Sequence, residues 1–138
     1  MLVDDIMTRG VVTATRSQPL SQIAGVMSER KLGIMVVVDE DTGRKVVGVL
    51  SDSDIIRKVV AAGRNPAQML VQDVMTTNVI TIKRESTVSD AANIMRSYAL
   101  KRLPVIENGQ LIGIVSSTDI IRSLIDVKKA LLDLALRF

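Results

Sequence analysis

Apolar residues recur along this chain at two spacings, and each spacing names an element. Leu20, Ile23, Ala24 and Met27 stand at i, i+3, i+4 and i+7, and Val88, Ala91, Ala92 and Met95 repeat the interval. Each set paints one face of a helix. Short β-branched runs precede them, Val11-Val12-Thr13 and Val79-Ile80-Thr81-Ile82, and these predict strands. Pro19 suits a first helical position, and Ser86 suits an N-cap. Two further apolar strands follow in each half. Glu107-Asn108-Gly109-Gln110 carries the Asn-Gly hairpin signal, and Asp41-Thr42-Gly43 supplies a longer turn. Helices then open at Ser53-Asp54 and Thr118-Asp119, the first stopping near Gly63.

The two halves are copies. Val3-Asp4-Asp5-Ile6-Met7-Thr8 falls on Val71-Gln72-Asp73-Val74-Met75-Thr76, and Val11, Thr13, Ser21, Ala24 and Met27 fall on Val79, Thr81, Ser89, Ala92 and Met95. Three extra residues enter the first copy between Asp39 and Val46. The register then resumes, with Gly48, Ser51, Asp54 and Arg57 on Gly113, Ser116, Asp119 and Arg122. Each copy reads as β-α-β-β-α, a mixed α/β (α+β) arrangement. The boundaries are residues 1–62 for the first repeat, 63–70 for a linker through Arg64-Asn65-Pro66, and 71–125 for the second repeat. Residues 126–138 are read as a C-terminal helix. The apolar side of that tail is Leu124, Val127, Leu131, Leu134 and Phe138, which fits packing on its own module and a dimer contact equally. A lone copy of this size is marginal, so the two repeats are expected to share one core.

Composition narrows the chemistry. With 47% apolar and 24% charged residues the chain is globular. Its only aromatics are Tyr98 and Phe138, so a base cannot be held by stacking platforms. The absence of Cys and His removes disulfides, thiolate nucleophiles, Cys/His zinc sites and Ser-His-Asp triads. The charge of +3 permits phosphate-bearing ligands, but no basic run is long enough to indicate nucleic acid. Met1-Leu2-Val3-Asp4-Asp5 does not read as a leader, and Ile34-Met35-Val36-Val37-Val38 is too short to cross a bilayer. A cytoplasmic location with no membrane association is expected.

One constellation remains, and it occurs twice. Gly48-Val49-Leu50-Ser51-Asp52-Ser53-Asp54 and Gly113-Ile114-Val115-Ser116-Ser117-Thr118-Asp119 each run from a strand into a helix start holding hydroxyls and a carboxylate. Free N–H groups at a helix start attract phosphate, the hydroxyls of Ser51, Ser53, Ser116 and Thr118 can donate to it, and a carboxylate can accept both hydroxyls of a ribose diol. The competing reading is that these residues only cap their helices. No partnered base and no phosphate loop accompany them, so no catalytic residue is assigned and the chain is read as not an enzyme. Asp52 and Asp54 lack the other ligands of a calcium loop, and no metal site is assigned.

Over nearly its full length the chain resembles the CBS-domain family. The resemblance rests on Asp5-Ile6-Met7-Thr8, Asp73-Val74-Met75-Thr76, Leu103-Pro104-Val105-Ile106 and the paired Gly-x-x-Ser-x-x-Asp segments, in order and in duplicate. It implies a stand-alone Bateman module, two repeats packed about a pseudo-twofold axis with two clefts between them. It implies a regulatory role binding AMP, ADP, ATP or S-adenosylmethionine, with no required cofactor, a homodimer, and an unknown regulated protein in trans. Carried over, one cleft holds Ser51 and Asp54 facing Val79, Ile80, Leu100 and Arg102. The other holds Ser116, Thr118 and Asp119 facing Val11, Val12, Leu32 and Ile34. Arg102 has Ile34 as its counterpart, and Pro104 has Val36, so nucleotides are expected to prefer the cleft containing Asp54 and Arg102. Two other readings stand beside this one: an interaction or structural module without a small ligand, and a nucleic-acid-binding protein.

Overall fold

The computed structural model describes residues 1–137. In chain order the elements are α1 (Val3–Ile6), β1 (Thr13–Ala14), α2 (Leu20–Arg30), β2 (Ile34–Val38), β3 (Val46–Ser51) and α3 (Asp52–Ile55). A π turn, Ile56–Val60, and two short 3-10 turns, Pro66–Gln68 and Val71–Asp73, follow. Then come β4 (Ile82–Lys83), α4 (Val88–Tyr98), β5 (Arg102–Glu107), β6 (Gln110–Ser116) and α5 (Ser117–Leu136). Two three-stranded sheets, β1-β2-β3 and β4-β5-β6, make this a mixed α+β fold. β1 runs parallel to β2 and β4 parallel to β5, while β2 pairs antiparallel with β3.

The helical periods in the sequence are realised in large part: Leu20, Ile23 and Met27 of α2 and Ala91 and Met95 of α4 are buried, Ala24 and Val88 are half-buried, and Ala92 turns to the surface. Some boundaries move. The strands begin later than the β-branched runs suggest, at Thr13 and Ile82. Pro19 is the N-cap of α2 rather than its first residue. Thr87, not Ser86, caps α4: its hydroxyl accepts the Asp90 N–H while the Asp90 carboxylate accepts the Thr87 N–H. That reciprocal pair satisfies two donors, where Ser86 would satisfy one. The tail is helical to Leu136. It continues α5 without a break, because Arg122 to Leu136 contains no Gly or Pro to stop it. Phe138 lies outside the described residues.

The chain divides into two compact units that do not follow the repeat boundaries. One unit is Val11–Val79 with Asn108–Leu111; the other is Met1–Gly10, Ile80–Glu107 and the chain from Ile112 onward. The reason lies in the two copies of Val-x-Asp-x-Met-Thr. Val3 is fully buried in a core with Ile82, Ala91, Met95, Leu103, Val105, Val115 and Ile120 of the second repeat. Val71 and Val74 are buried in a core with Leu20, Ile23, Met27, Met35, Val37 and Leu50 of the first. Each copy thus lends its leading segment to the other copy's core.

Backbone bonds fix these loans. Thr8 and Ile114 exchange N–H···O bonds of 2.8 and 2.9 Å, and Thr76 and Val49 exchange bonds of 2.8 and 2.9 Å. The approach is close enough to demand glycine on the receiving strand. A Cβ at Gly48 would lie 2.9 Å from the Met75 Sδ and 3.0 Å from the Thr76 carbonyl oxygen; at Gly113 it would lie 2.8 Å from both the Met7 Sδ and the Thr8 carbonyl oxygen.

Candidate functional site

The two Gly-x-x-Ser-x-x-Asp segments fold as identical corners. β3 ends on Ser51, whose hydroxyl accepts the Asp54 N–H (3.0 Å) while Asp54 Oδ2 accepts the Ser51 N–H (3.1 Å). β6 ends on Ser116 in the same way, with bonds of 3.0 and 2.9 Å to and from Asp119. Both carboxylates therefore cap their helices, as the competing reading of the sequence holds. In each box only Oδ2 is spent on the cap, so Oδ1 decides what else the carboxylate can do.

At Oδ1 the corners differ. Lys58 Nζ lies 3.4 Å from Asp54 Oδ1 and Arg57 Nη2 3.5 Å from it. Thr76 Oγ1 lies 3.4 Å from both carboxylate oxygens. Lys58 also donates to the Val74 carbonyl at 2.9 Å. The Asp54 side chain is only 5% exposed beneath these partners. Asp119 is half-buried, and among the described residues no cation pairs with it. The position matching Lys58 is Ser123, whose hydroxyl turns back to the Ile120 carbonyl (2.7 Å).

The remaining candidates fall into a consistent pattern. Ser51 and Ser116 are half-buried, while Ser53 and Thr118 are exposed. Val11, Val12, Leu32, Ile34 and Val79 are half-buried in the unit of Asp54; Ile80 and Leu100 are half-buried in the unit of Asp119, where Arg102 is exposed. The hairpins fix the neighbours of two of these residues within their own repeats. Ile34 pairs with Ser51, and the Asp52 N–H donates to the Gly33 carbonyl (3.0 Å). Likewise the Ser117 N–H donates to the carbonyl of Lys101, the neighbour of Arg102 (2.8 Å). Within its own repeat, then, Ile34 adjoins the Asp54 corner and Arg102 the Asp119 corner, because the strand entering each helix pairs with the preceding strand of that repeat. Lys58 and Thr76 were missed as site residues. The signal for Lys58 was present, since a cation four residues after a carboxylate faces it on a helix.

Elsewhere the charged groups serve the surface. Arg84 spans Glu107 (3.0 Å) and Asp4 (2.9 Å), which raise its pKa further. The Thr42 hydroxyl lowers the Asp39 pKa, and the Ser17 hydroxyl lowers that of Glu40. Among the described residues no three acidic, His or Cys side chains gather closely enough to hold a metal ion, and no helix is long and apolar enough to cross a membrane.

Comparison with known proteins gives the chain its family and its fold relatives. The CBS domain profile matches residues 3–61 and 71–126. The Methanopyrus kandleri protein MK0525 is 33% identical over 121 residues, covering 87% of this chain, which spans 61% of that relative's length. The CBS-domain protein ATU1752 of Agrobacterium tumefaciens superposes with a TM-score of 0.79 at 31% identity, over 89% of this chain and 98% of that one. The CBS domain pair of protein MJ0100, solved in complex with 5′-methylthioadenosine and S-adenosyl-L-methionine, has a TM-score of 0.78 at 29% identity, over 90% and 99% of the two chains.

Proposed function

Because the chain belongs to the CBS-domain family, we propose that it is a regulatory module that senses adenine nucleotides or other adenosyl compounds at its strand-to-helix corners and signals to a partner protein in trans, without catalysing a reaction. The observation that carries this reading is the corner at Asp119. Its carboxylate has one oxygen fixed by the Ser116 N–H and, among the described residues, no cation on the other. A ribose diol supplies the two O–H donors such an oxygen accepts. The start of the 20-residue helix α5 and the hydroxyl of Thr118 suit phosphate oxygens, with Arg102 available from the neighbouring strand. Half-buried Ile80 and Leu100 offer the base an apolar surface without stacking. The adenosyl ligands of the MJ0100 domain pair support the same ligand class here.

Self-association belongs to the proposal. Ile56, Val60, Ile121, Leu124, Leu131 and Leu134 are large, apolar and exposed, and a homodimer would cover them. No cofactor is required, and the reading places the module in the cytoplasm. The structural reading, with corners that only cap helices, rests on the closed capping boxes and predicts no ligand. A thermal-shift panel of adenosine, AMP, ATP and S-adenosylmethionine separates the two. Stabilisation by at least one adenosyl compound, lost in Asp119→Ala, is expected; a flat panel would leave capping as the corners' whole role.

A further inference from the structure

We infer that Lys58 decides which corner is open: it holds the Asp54 carboxylate in an ion pair and ties it to the Val74 carbonyl, closing the first corner and leaving Asp119 as the carboxylate that reads ribose. The inference rests on the adenosyl-binding reading for its ligand, and on contacts within one unit for its mechanism.

Both oxygens of Asp54 already face protein partners. Oδ2 takes the Ser51 N–H, Oδ1 faces Lys58 and Arg57, and Thr76 Oγ1 approaches both oxygens. A diol would have to displace Lys58 or Thr76 and enter a position that is almost wholly buried. Lys58 is well placed to resist. Its ammonium bridges two partners of different kinds, the Asp54 carboxylate at 3.4 Å and the Val74 carbonyl at 2.9 Å, and moving it would break both contacts at once. The π turn Ile56–Val60, marked by the Ala61 N–H donating to the Ile56 carbonyl (2.8 Å), carries this lysine. The second repeat has regular α-helix there and Ser123 in place of the lysine. Two corners with the same capping box therefore differ in what meets the carboxylate, and Lys58 is the contact whose counterpart, Ser123, carries no charge. Val74 leads directly into Met75-Thr76, which is bonded to Val49, so Lys58 also pins the borrowed segment to the corner it closes.

The test is equilibrium dialysis with adenosine, whose lack of phosphate removes any contribution from Arg102, on wild type, Lys58→Ser, Lys58→Arg and Asp119→Ala. One adenosine per chain is expected for wild type and Lys58→Arg, none for Asp119→Ala, and a second equivalent for Lys58→Ser. Two equal sites in wild type, or a folded Lys58→Ser that still binds one, would overturn the inference. Amide exchange judges the latch without ligand. The Thr76 N–H should exchange about tenfold faster in Lys58→Ser, the loss of one charge-assisted bond, while the Thr8 N–H is unchanged. Lys58→Met, which keeps the aliphatic stem, should show the same acceleration if Lys58→Ser is too unstable to study. Faster Thr76 exchange with no adenosine bound by any variant would sustain the latch and sink the adenosyl reading. Unchanged exchange would sink the latch itself.

Discussion

Asp54 and Asp119 hold the same place in their repeats and face different neighbours, so one substitution should give two phenotypes. Asp54→Ala removes a cap and strands Lys58 and Thr76; partly exposed partners soften the cost to about 1–2 kcal/mol, read from urea unfolding. Asp119→Ala should cost about 1 kcal/mol or less of stability and remove adenosyl binding. Arg102→Ala should weaken AMP about ten- to a hundredfold, as for a lost charged hydrogen bond, and leave adenosine unchanged in calorimetry. Equal losses for both ligands would mean that Arg102 does not meet phosphate. Asp39 tests the surface electrostatics. Its pKa is depressed in the folded state, chiefly by the Thr42 hydroxyl, so its contribution is present above the unfolded carboxylate value and lost as pH falls through the lower folded value. Thr42→Ala should move the Asp39 titration upward in NMR and remove that contribution at neutral pH, the difference from wild type vanishing in acid below the folded value.

Among elements, the glycines on β3 and β6 are the sharpest constraint. A methyl at Gly113 would meet both a flexible Met7 side chain and the rigid Thr8 carbonyl. The methionine can swing aside and the carbonyl cannot, so Gly113→Ala should cost about 1–3 kcal/mol through displacement of the borrowed strand. A melting temperature equal to wild type would mean that the strand yields freely. Helices and hairpins were legible in the sequence because their signals are local: apolar periods for α2 and α4, Ser51 and Ser116 ahead of the corners, Asn108-Gly109 for the tight turn, where both residues take positive φ. The direction of the borrowed segments was not legible. Val3 and Val71 carry identical local signals, and only the long-range pairing of Thr8 with Ile114 and Thr76 with Val49 tells which core each enters. The corner's composition was likewise readable and its partners were not. The spacing of Lys58 from Asp54 was readable, but its bond to the Val74 carbonyl, sixteen residues on, was not.

At the scale of the whole molecule, a sequence repeat and a folding unit are different things here. A fragment of residues 1–62 lacks Val71 and Val74, both fully buried in its own core, whereas residues 11–79 contain them. Circular dichroism of the two fragments should find the second far more structured; equal signals would contradict the exchange of segments. The same order governs synthesis. At about 5–20 residues per second, the first unit has most of its chain once Val79 has been made. Val3, already at hand, must wait for Ile120, about 6–23 s later at that rate. The segment around Val3 is therefore made well before the core it enters, and Asp4 and Asp5 beside Val3 supply charge that guards an apolar segment against association until then.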